Sequence, residues 1–314
     1  MHVIFGAGPV GTTLALELAG SGEQVRVLSR SGNGPSHPAI TRERLDATDL
    51  EATRHATRDA SVMYNALNPP YTHWERDWPP LHHNLMAAAE ASGAVLVMMD
   101  NLYGYGDTDG TPMTTSTPLH ATGTKGGTRA RMSDELLAAH AAGRLRATIA
   151  RASDFFGPLV VDANLGERVI PNIIAGKTVR LLGALDQPHS IAYMPDVART
   201  LAAIGHTESA WGRAWHVPSA PAVTQAEMIR MLADAAGTTA KAASVPTWML
   251  RAIGLVSPMI RALGEVEYQF AKPFIVDASD TESAFGITAT PLVEAFGETI
   301  TWWRDRAVTV KAAA

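Results

Sequence analysis

The sequence predicts an α/β protein built on a doubly wound parallel sheet, with a smaller, mostly helical lobe in its C-terminal part. An apolar run at 2–5 leads directly into the glycine-rich turn Gly6-x-Gly8-x-x-Gly11, and a helix-prone segment and a second apolar run at 24–28 follow. Strand-like and helix-like segments then alternate as far as residue 150, and the alternation loosens after Pro158. Right-handed crossovers between such segments give the parallel sheet of a Rossmann fold.

Each strand is predicted from a short apolar run, and each helix from a longer segment between two runs. We expect strands at 2–5, 24–28, 42–46, 60–66, 94–99, 145–150 and 214–217. We expect helices after the glycine turn and at 49–56, 72–92, 126–142, 168–176 and 196–205. Prolines should break the helix over 72–92 at Pro79-Pro80, and should interrupt the mostly helical chain beyond 224 at Pro246, Pro258 and Pro273. The Rossmann domain then comprises 1–165 and 189–217, and the substrate lobe comprises 166–188 and 218–314.

The composition excludes several classes of protein. The 314 residues carry a net charge of −5, which argues against a nucleic-acid-binding protein because such proteins usually present a basic face. There is no cysteine, so disulfides, thiolate catalysis and cysteine-bound zinc are excluded. No apolar run is long enough to span a membrane, and a cleaved leader is not expected because the first strand begins at His2. We therefore expect a cytoplasmic protein without nucleic-acid or membrane partners.

Other charged residues and histidines suggest no metal site. His82 and His83 are adjacent in a predicted helix, where neighbouring residues do not share a face. His189 and His216 are interpreted as structural, and Arg129 is interpreted as lying on the solvated face of its helix.

The glycine turn predicts a dinucleotide site, because it joins a strand to a helix. Gly6 permits the tight turn, Gly8 leaves room for a pyrophosphate, and Gly11 lets the helix pack close to the strand. The helix that starts at Pro9 and Val10 presents free N–H groups and the positive end of its dipole to the phosphates. The alternative is a glycine-rich turn that binds no ligand.

The end of the second strand indicates which cofactor is bound. An acidic residue there binds the ribose of NAD, whereas an arginine accommodates the 2′-phosphate of NADP. Here the residues are Ser29 and Arg30, a hydroxyl and a planar donor group, so NADPH is predicted and NAD is less favoured. The alternative is an exposed arginine on a loop.

Further cofactor contacts are predicted after the other strands. Asp46 is predicted to accept from the adenine amino group. The alternative is an ordinary helix N-cap, a role that we expect Asp49 or Thr48 to fill. The complete set of predicted cofactor residues is Gly6, Gly8, Pro9, Val10, Gly11, Ser29, Arg30, Asp46, Ala47, Asn65, Ala66, Leu67, Lys125, Ala152 and Ser153.

Three later segments carry a family resemblance. Residues 97–106 (VMMDNLYGYG) resemble a Ser-Ser-x-x-Val-Tyr-Gly segment, 151–158 (RASDFFGP) an Arg-Pro-x-Asn-x-Tyr-Gly-Pro segment, and 191–198 (IAYMPDVA) a Tyr-Val-x-Asp-Val-Ala segment. With the glycine turn, these segments follow the order found in the extended short-chain dehydrogenase/reductases, the NAD-dependent epimerase/dehydratase family. The resemblance covers residues 3 to about 200 and implies a nucleotide-binding Rossmann enzyme.

The chain departs from that family at the catalytic residues. The resemblance implies a Ser or Thr after strand five and a Tyr-x-x-x-Lys pair, in which the Tyr is the acid/base and the Lys lowers its pKa and holds the nicotinamide ribose. Lys125 occupies the Lys position, but Ala121 stands at the Tyr position and Asn101 at the Ser/Thr position. The chain therefore resembles an atypical subgroup without the usual proton donor.

Tyr103 is the predicted substitute for that donor. We expect Asn101 to bind a substrate carbonyl oxygen, Tyr103 to protonate it, and Lys125 to depress the phenol pKa or bind the ribose. The alternatives are a packing role for Tyr103, a turn role for Asn101 and a solvated Lys125. Asp154 lies where the family's Asn contacts substrate, although it could be a turn acceptor, and Tyr193 is the second predicted substrate residue.

Three functions remain open from the sequence. The first is an NADPH-linked oxidoreductase acting on a small or nucleotide-linked carbonyl or alcohol. The second is a sugar-nucleotide epimerase or dehydratase with an internal redox cycle, and the third is a non-catalytic NADP(H)-binding sensor. The substrate is not indicated. The family resemblance implies a homodimer that forms through the helices over 72–92 and 126–142.

Overall fold

The computed structural model describes residues 1–245 and 257–313. The strands are β1 (His2–Phe5), β2 (Val25–Ser29), β3 (Ile40–Arg44), β4 (Val62–Asn65), β5 (Val95–Asn101), β6 (Arg146–Ala152), β7 (Asp154–Phe156), β8 (Val179–Leu181), β9 (Pro188–His189), β10 (Ile191–Tyr193), β11 (Ala214–His216), β12 (Val223–Thr224) and β13 (Ala242–Ser244). The helices are α1 (Pro9–Gly20), α2 (Leu50–Thr57), α3 (Trp74–Ser92), α4 (Thr124–Ala141), α5 (Ile170–Ile174), α6 (Met194–His206), α7 (Gln225–Ala236), α8 (Pro258–Leu263), α9 (Tyr268–Ala271), α10 (Ser279–Phe285) and α11 (Leu292–Ala313). Within these residues, no helix is both long and apolar enough to cross a membrane.

Seven strands form one parallel sheet in the order β3-β2-β1-β4-β5-β6-β11. The order reverses between β1 and β4, so the chain winds outward from the middle in both directions. This confirms the predicted doubly wound α/β fold. Ligands of such sheets bind at the carboxyl ends of the strands where the order reverses, and that edge here carries the turn after Phe5.

Alternating side chains of the strands fill two apolar layers. On one face, Ile4 of β1 packs in a cluster with residues of α1 and α6. On the other face, Val3 and Phe5 pack in a cluster with residues of α2, α3 and α4. Because successive side chains of a strand point to opposite faces, a strand covered on both sides must be apolar throughout, and this explains the continuous apolar runs.

The structure corrects one predicted break. Pro79 and Pro80 lie inside α3, which continues unbroken to Ser92. Trp74 and Trp78, just before the prolines, are buried in the apolar layer with Leu85, which follows them. Packing on one face therefore holds the helix together although two backbone N–H donors are missing.

Strand ends also differ from the prediction in a way that affects the site. β3 starts at Ile40, two residues before the predicted 42. β5 and β6 each extend two residues further than predicted, to Asn101 and Ala152. Register with the neighbouring strand explains the extension, because Asn101 pairs with Ala152 at the carboxyl edge. Asn101 and Ala152, which are both predicted site residues, therefore lie at the ends of strands.

A third apolar cluster joins the C-terminal part to the sheet domain. It combines Phe156 and Tyr193 with residues of α5, α7 and α11. The division into 1–165 with 189–217 and 166–188 with 218–314 stays a prediction. Part of that predicted lobe, residues 246–256 with the predicted interruption at Pro246, lies outside the described residues.

A buried polar cluster ties β5, α4 and β6 together. The Asp100 carboxylate accepts from Arg129 Nε at 2.6 Å and from Ser133 Oγ at 2.9 Å. Arg151 donates to Ser133 Oγ at 3.1 Å, and its Nε lies 3.6 Å from the Asp100 carboxylate. All four side chains are buried. The prediction that Arg129 lies on a solvated face was wrong, because its side chain is buried and paired with Asp100.

The cluster continues to β11 through a chain of hydrogen bonds. Arg151 Nη1 donates to Tyr105 Oη at 2.9 Å, and Tyr105 Oη lies 2.6 Å from His216 Nε2. His216 Nδ1 lies 2.8 Å from the Asp277 carbonyl oxygen, so Nδ1 carries the hydrogen and Nε2 accepts from Tyr105. Burial lowers the pKa of His216 to about 4, and the nearby Arg151 charge acts in the same direction. His216 is therefore neutral, which fits its predicted structural role.

This arrangement predicts acid-sensitive stability. Between pH 6.5 and about 4 the unfolded chain binds a proton at His216 that the folded chain excludes. The free energy of unfolding should therefore fall as the pH falls through that window, by up to about 3 kcal/mol from this residue. Urea unfolding at several pH values measures the slope, and His216→Gln should make it shallower. An unchanged slope in that variant would contradict the assignment.

Candidate functional site

The glycine turn is shaped by close backbone approaches at two of its three glycines. Gly6 has a φ of +109°, and a Cβ there would lie 2.5 Å from the Ala66 carbonyl oxygen. A Cβ on Gly11 would overlap the Gly6 carbonyl oxygen. These two positions therefore need glycine for packing within the protein, as predicted for the turn and for helix–strand contact.

Gly8 needs another explanation. Its φ of −76° is open to any residue, and a Cβ built there meets no atom within 4 Å. Gly8 is also the N-cap of α1 and gives the helix no side-chain cap, and Pro9 fills the first helical position. The first turn of α1 thus faces open space with its N–H groups uncapped. Such a cradle fits a phosphate group.

The end of β4 forms the adjoining wall. Asn65 is buried, and its Oδ1 accepts from the Leu67 backbone N–H at 3.2 Å. The Ala66 N–H donates to the Phe5 carbonyl oxygen at 2.9 Å, which holds Ala66 against the glycine turn. The predicted residues 65–67 therefore lie directly beside the cradle.

The end of β2 presents an exposed arginine. Ser29 Oγ donates to the Asn33 carbonyl oxygen at 2.9 Å, whereas Arg30 is exposed. Hydrogen bonds from Thr48 lower the pKa of Asp46, and the charge of Arg30 adds to that shift, so Arg30 and Asp46 share one neighbourhood.

Asp46 does not cap the next helix. Asp49 accepts from the Ala52 N–H at 3.0 Å and is the N-cap of α2. Asp46 Oδ1 instead accepts from Thr48 in a local turn, at 3.0 Å from its N–H and 2.8 Å from its hydroxyl. Ala47 is buried, and its carbonyl oxygen accepts from Asn84 Nδ2 at 3.0 Å.

Asn101 ends β5 and shapes the following turn. Its Oδ1 accepts from the Tyr103 backbone N–H at 3.0 Å, which is the turn role weighed as an alternative. Within the described residues, its Nδ2 has no hydrogen-bond partner, so this amide group remains available as a donor.

Tyr103 lies among aromatic rings. Its ring centroid is 5.9 Å from that of Trp74 and 6.5 Å from that of Tyr71. Burial raises the pKa of Tyr103 well above its ordinary value, and the Asp154 carboxylate raises it further. Burial likewise raises the pKa of Tyr71 to about 12. Each of the two phenols contributes to the pKa shift of the other. Within the described residues, Tyr71 Oη has no hydrogen-bond partner.

Lys125 lies in the first turn of α4 and is buried. Its Nζ donates to the Tyr71 carbonyl oxygen at 2.9 Å and lies 4.3 Å from the centre of the Tyr71 ring. The pKa of Tyr103 is raised, so this arrangement does not give the phenol activation expected of Lys125. Burial also rules out the solvated Lys125 weighed as an alternative, and ribose binding stays a prediction.

Glu265 is a residue that the sequence reasoning missed. Its Oε2 accepts from the Lys125 backbone N–H at 3.0 Å, at the N-terminus of α4, where Gly123 provides no side-chain cap. A cavity of about 150 Å³ lies between this contact and Tyr103, and Tyr268 also lines it. Nothing in the local sequence around Glu265 marks it as a helix cap, because the helix it caps begins at Thr124.

Asp154 forms a pair with His189, which the sequence suggested only as a structural residue. His189 Nε2 lies 3.0 Å from Asp154 Oδ2, and Nδ1 lies 3.0 Å from the Gln269 carbonyl oxygen. The imidazole stacks on Phe270 and Phe274, each at 5.1 Å between ring centroids. A carbonyl oxygen only accepts, so Nδ1 carries a hydrogen.

The remaining predicted residues are buried. Tyr193 stacks on Phe156, and its hydroxyl donates to Glu298 of α11. The hydrogen bond to Glu298 adds to burial in raising the pKa of Tyr193. Ser153 Oγ donates to the Ser190 carbonyl oxygen. The structure therefore gives Tyr193 a packing partner and an anchored hydroxyl, and Ala152 is equally enclosed.

Comparison with known protein families gives a match over more than half of the chain. The model of the NAD-dependent epimerase/dehydratase family matches residues 2–217. No curated protein matches the chain.

Several solved structures share the whole fold. Epimerase Mth375 from Methanothermobacter thermautotrophicus is 14% identical, with a TM-score of 0.83 over 100% of this chain and 94% of that chain. DesIV, a dTDP-glucose 4,6-dehydratase from Streptomyces venezuelae bound to NAD and TYD, is 17% identical, with a TM-score of 0.78 over 97% of both chains. MoeE5, in complex with UDP-glucuronic acid and NAD, is 20% identical, with a TM-score of 0.77 over 97% of this chain and 99% of that chain. At these identities the likeness shows the fold.

Proposed function

The chain belongs to the NAD-dependent epimerase/dehydratase family, and on that basis we propose that it is an NAD(P)-dependent oxidoreductase acting on a carbonyl or alcohol substrate. The main support for this proposal is the cradle at Gly8, where the uncapped start of α1 faces space that no atom of residues 1–245 or 257–313 fills. A turn that served packing alone would need only Gly6 and Gly11.

The residues that would hold the dinucleotide follow the carboxyl edge of the sheet. The first turn of α1 would bind the pyrophosphate, and Arg30 with Ser29 would bind a 2′-phosphate. Asp46 would accept from the adenine amino group, residues 65–67 would line the phosphates, and Lys125 would bind the nicotinamide ribose. The bound cofactor supplies a hydride acceptor or donor.

Side chains at or just after the ends of β5 and β6 would carry out the proton transfer. A phenol whose pKa is raised stays protonated, so Tyr103 can donate a hydrogen bond to a substrate oxygen and protonate it as the carbonyl is reduced. Asn101 Nδ2 is a second donor for the same oxygen. Because His189 occupies Oδ2 of Asp154, the other carboxylate oxygen is free to accept from a substrate hydroxyl.

A second candidate is a sugar-nucleotide epimerase or dehydratase that oxidises and reduces its substrate in one cycle. It is favoured by the sugar-nucleotide and nucleotide ligands of DesIV and MoeE5, which also carry NAD. A non-catalytic NADP(H) sensor is the third candidate, because Ala121 replaces the usual tyrosine. A cytoplasmic location and a homodimer through α3 and α4 stay predictions.

The two kinds of glycine should respond differently to one added methyl group. Gly8→Ala should change the free energy of unfolding by less than about 1 kcal/mol, because its Cβ meets no protein atom. It should weaken dinucleotide binding by about tenfold or more, because the Cβ enters the cradle. Gly11→Ala is the matched control and should lose about 2 kcal/mol of stability through backbone overlap.

Calorimetric binding of NADPH and urea unfolding of both variants measure these effects. Full dinucleotide affinity in a folded Gly8→Ala protein would rule out the cradle as the phosphate site.

Arg30 should set the cofactor preference. Arg30→Ala should weaken NADPH binding by about 10–100-fold, since a charge-assisted hydrogen bond contributes roughly 1.5–3 kcal/mol. NADH binding should not change. Fluorescence titration of each nucleotide measures both constants, and Arg230→Ala, an exposed arginine on α7, is the control. Equal binding of NADH and NADPH that is unaltered in Arg30→Ala would show that Arg30 does not contact the cofactor.

Tyr103 should be required for turnover but not for cofactor binding. Tyr103→Phe keeps the ring contacts with Tyr71 and Trp74 and removes the proton donor. We expect kcat to fall by about 10²–10⁴-fold with an unchanged cofactor Kd. The assay follows nicotinamide absorbance with a panel of simple aldehydes and ketones. With UDP-glucose and dTDP-glucose it follows the sugar product by chromatography, because an internal redox cycle leaves no net change in absorbance. Full turnover in the variant would remove Tyr103 from the reaction, and binding without turnover of any compound by the wild type would favour the sensor.

A further inference from the structure

Three potential metal ligands from distant parts of the sequence meet at the opposite edge of the sheet. His2 begins β1, Glu23 lies just before β2, and His206 ends α6. One ligand atom from each residue lies within 4.8 Å of the others. The amino ends of β1 and β2 carry this cluster, whereas the proposed cofactor site lies at their carboxyl ends.

The Glu23 carboxylate lies between the two imidazoles. Its Oε2 is 3.4 Å from His2 Nε2, and its Oε1 is 3.5 Å from His206 Nε2. Both separations exceed the 2.7–3.2 Å usual for a hydrogen bond of this kind, by about 0.2 Å or more. They are close to the separation of about 3.3 Å between neighbouring ligands of a tetrahedral ion with bonds of about 2.0–2.1 Å. The distances therefore suit ligands of one cation.

The hydrogen on the His206 ring lies away from the centre of the cluster. His206 Nδ1 lies 2.7 Å from the Ala202 carbonyl oxygen and so carries a hydrogen, which leaves the Nε2 lone pair facing Glu23. His206 thus directs an acceptor atom toward a carboxylate, an arrangement that a cation between them stabilises.

We propose that His2, Glu23 and His206 form a binding site for a divalent transition metal ion, with Zn²⁺ as the preferred ion. Two imidazole nitrogens and one carboxylate are a donor set that suits Zn²⁺, whereas Mg²⁺ and Ca²⁺ require oxygen ligands. A fourth position is left for water, because the side chains of Glu23 and His206 are 43% and 42% exposed.

An outer hydrogen bond supports the His206 imidazole in this role. The Ala202 carbonyl oxygen accepts from His206 Nδ1, and Tyr64 Oη lies 3.3 Å from His2 Nδ1. A carbonyl partner of this kind orients a metal-bound histidine and fixes the tautomer that presents Nε2 to the ion. A bound ion would join the end of α6 to the first strand of the sheet, far from the reacting atoms.

The test is zinc binding by untagged protein that retains its own Met1-His2 start. Competition against a chromophoric chelator should give one Zn²⁺ per chain. His206→Ala and Glu23→Gln should each lower the affinity at least about tenfold. His55→Ala is the matched control, because His55 is an exposed histidine in the last turn of α2, as His206 is in the last turn of α6. Circular dichroism verifies the fold of each variant.

The outcomes separate clearly. X-ray absorption of the zinc-loaded protein should show two imidazole nitrogens and light oxygen ligands, and Mg²⁺ should not compete. Absence of stoichiometric zinc binding in the wild type would overturn the proposal. Equal binding by wild type and His206→Ala would also overturn it, because the ion would then lie elsewhere. Neither result depends on enzymatic activity.

Discussion

The site of this protein depends on the buried carboxylate of Asp100. Asp100 contacts Arg129 and Ser133 of α4 and Arg151 of β6, and through Arg151 the contact extends to Tyr105 and β11. Removal of one partner from a buried ion pair typically costs about 3–5 kcal/mol, since a charge is left without compensation. Asp100 thereby fixes the position of α4 against β5. Asn101, Tyr103 and Lys125 all lie within a few residues of these anchors, so their geometry follows from this cluster.

The loss of the family tyrosine changes the electrostatics of the site. In the family pattern a lysine lowers the pKa of the catalytic phenol, whereas here burial and Asp154 raise the pKa of Tyr103. The Nζ of Lys125 instead donates a hydrogen bond to the Tyr71 carbonyl oxygen. A phenol held in its protonated form suits hydrogen-bond donation to a carbonyl oxygen and is poorly suited to removing a proton from an alcohol. In the proposed reaction Tyr103 would act as a hydrogen-bond donor to the substrate oxygen, and the Asp154–His189 pair would add an acceptor beside it.

Local patterns in the sequence predicted most of the sheet and the cofactor edge. A strand covered on both faces must be apolar, and a strand–turn–helix unit that binds phosphate needs glycines at fixed spacing, so both features are visible within about 30 residues. The predictions failed where a distant contact decided the outcome. Packing of Trp74 and Trp78 carries α3 past two prolines, and Asp100 draws Arg129 out of solvent. Glu265 and His189 acquired their roles through partners more than 30 residues away.

The sequence by itself determined the fold class, the glycine turn between β1 and α1, and the absence of the usual catalytic tyrosine, because each is carried by neighbouring residues. Only the tertiary structure decided which polar groups face each other. It paired Asp154 with His189, anchored the Tyr193 hydroxyl on Glu298, and brought His2, Glu23 and His206 to one point. The physical reason is that hydrogen bonds and metal sites depend on distances of a few ångströms, which the folded sheet sets and which spacing along the chain does not record.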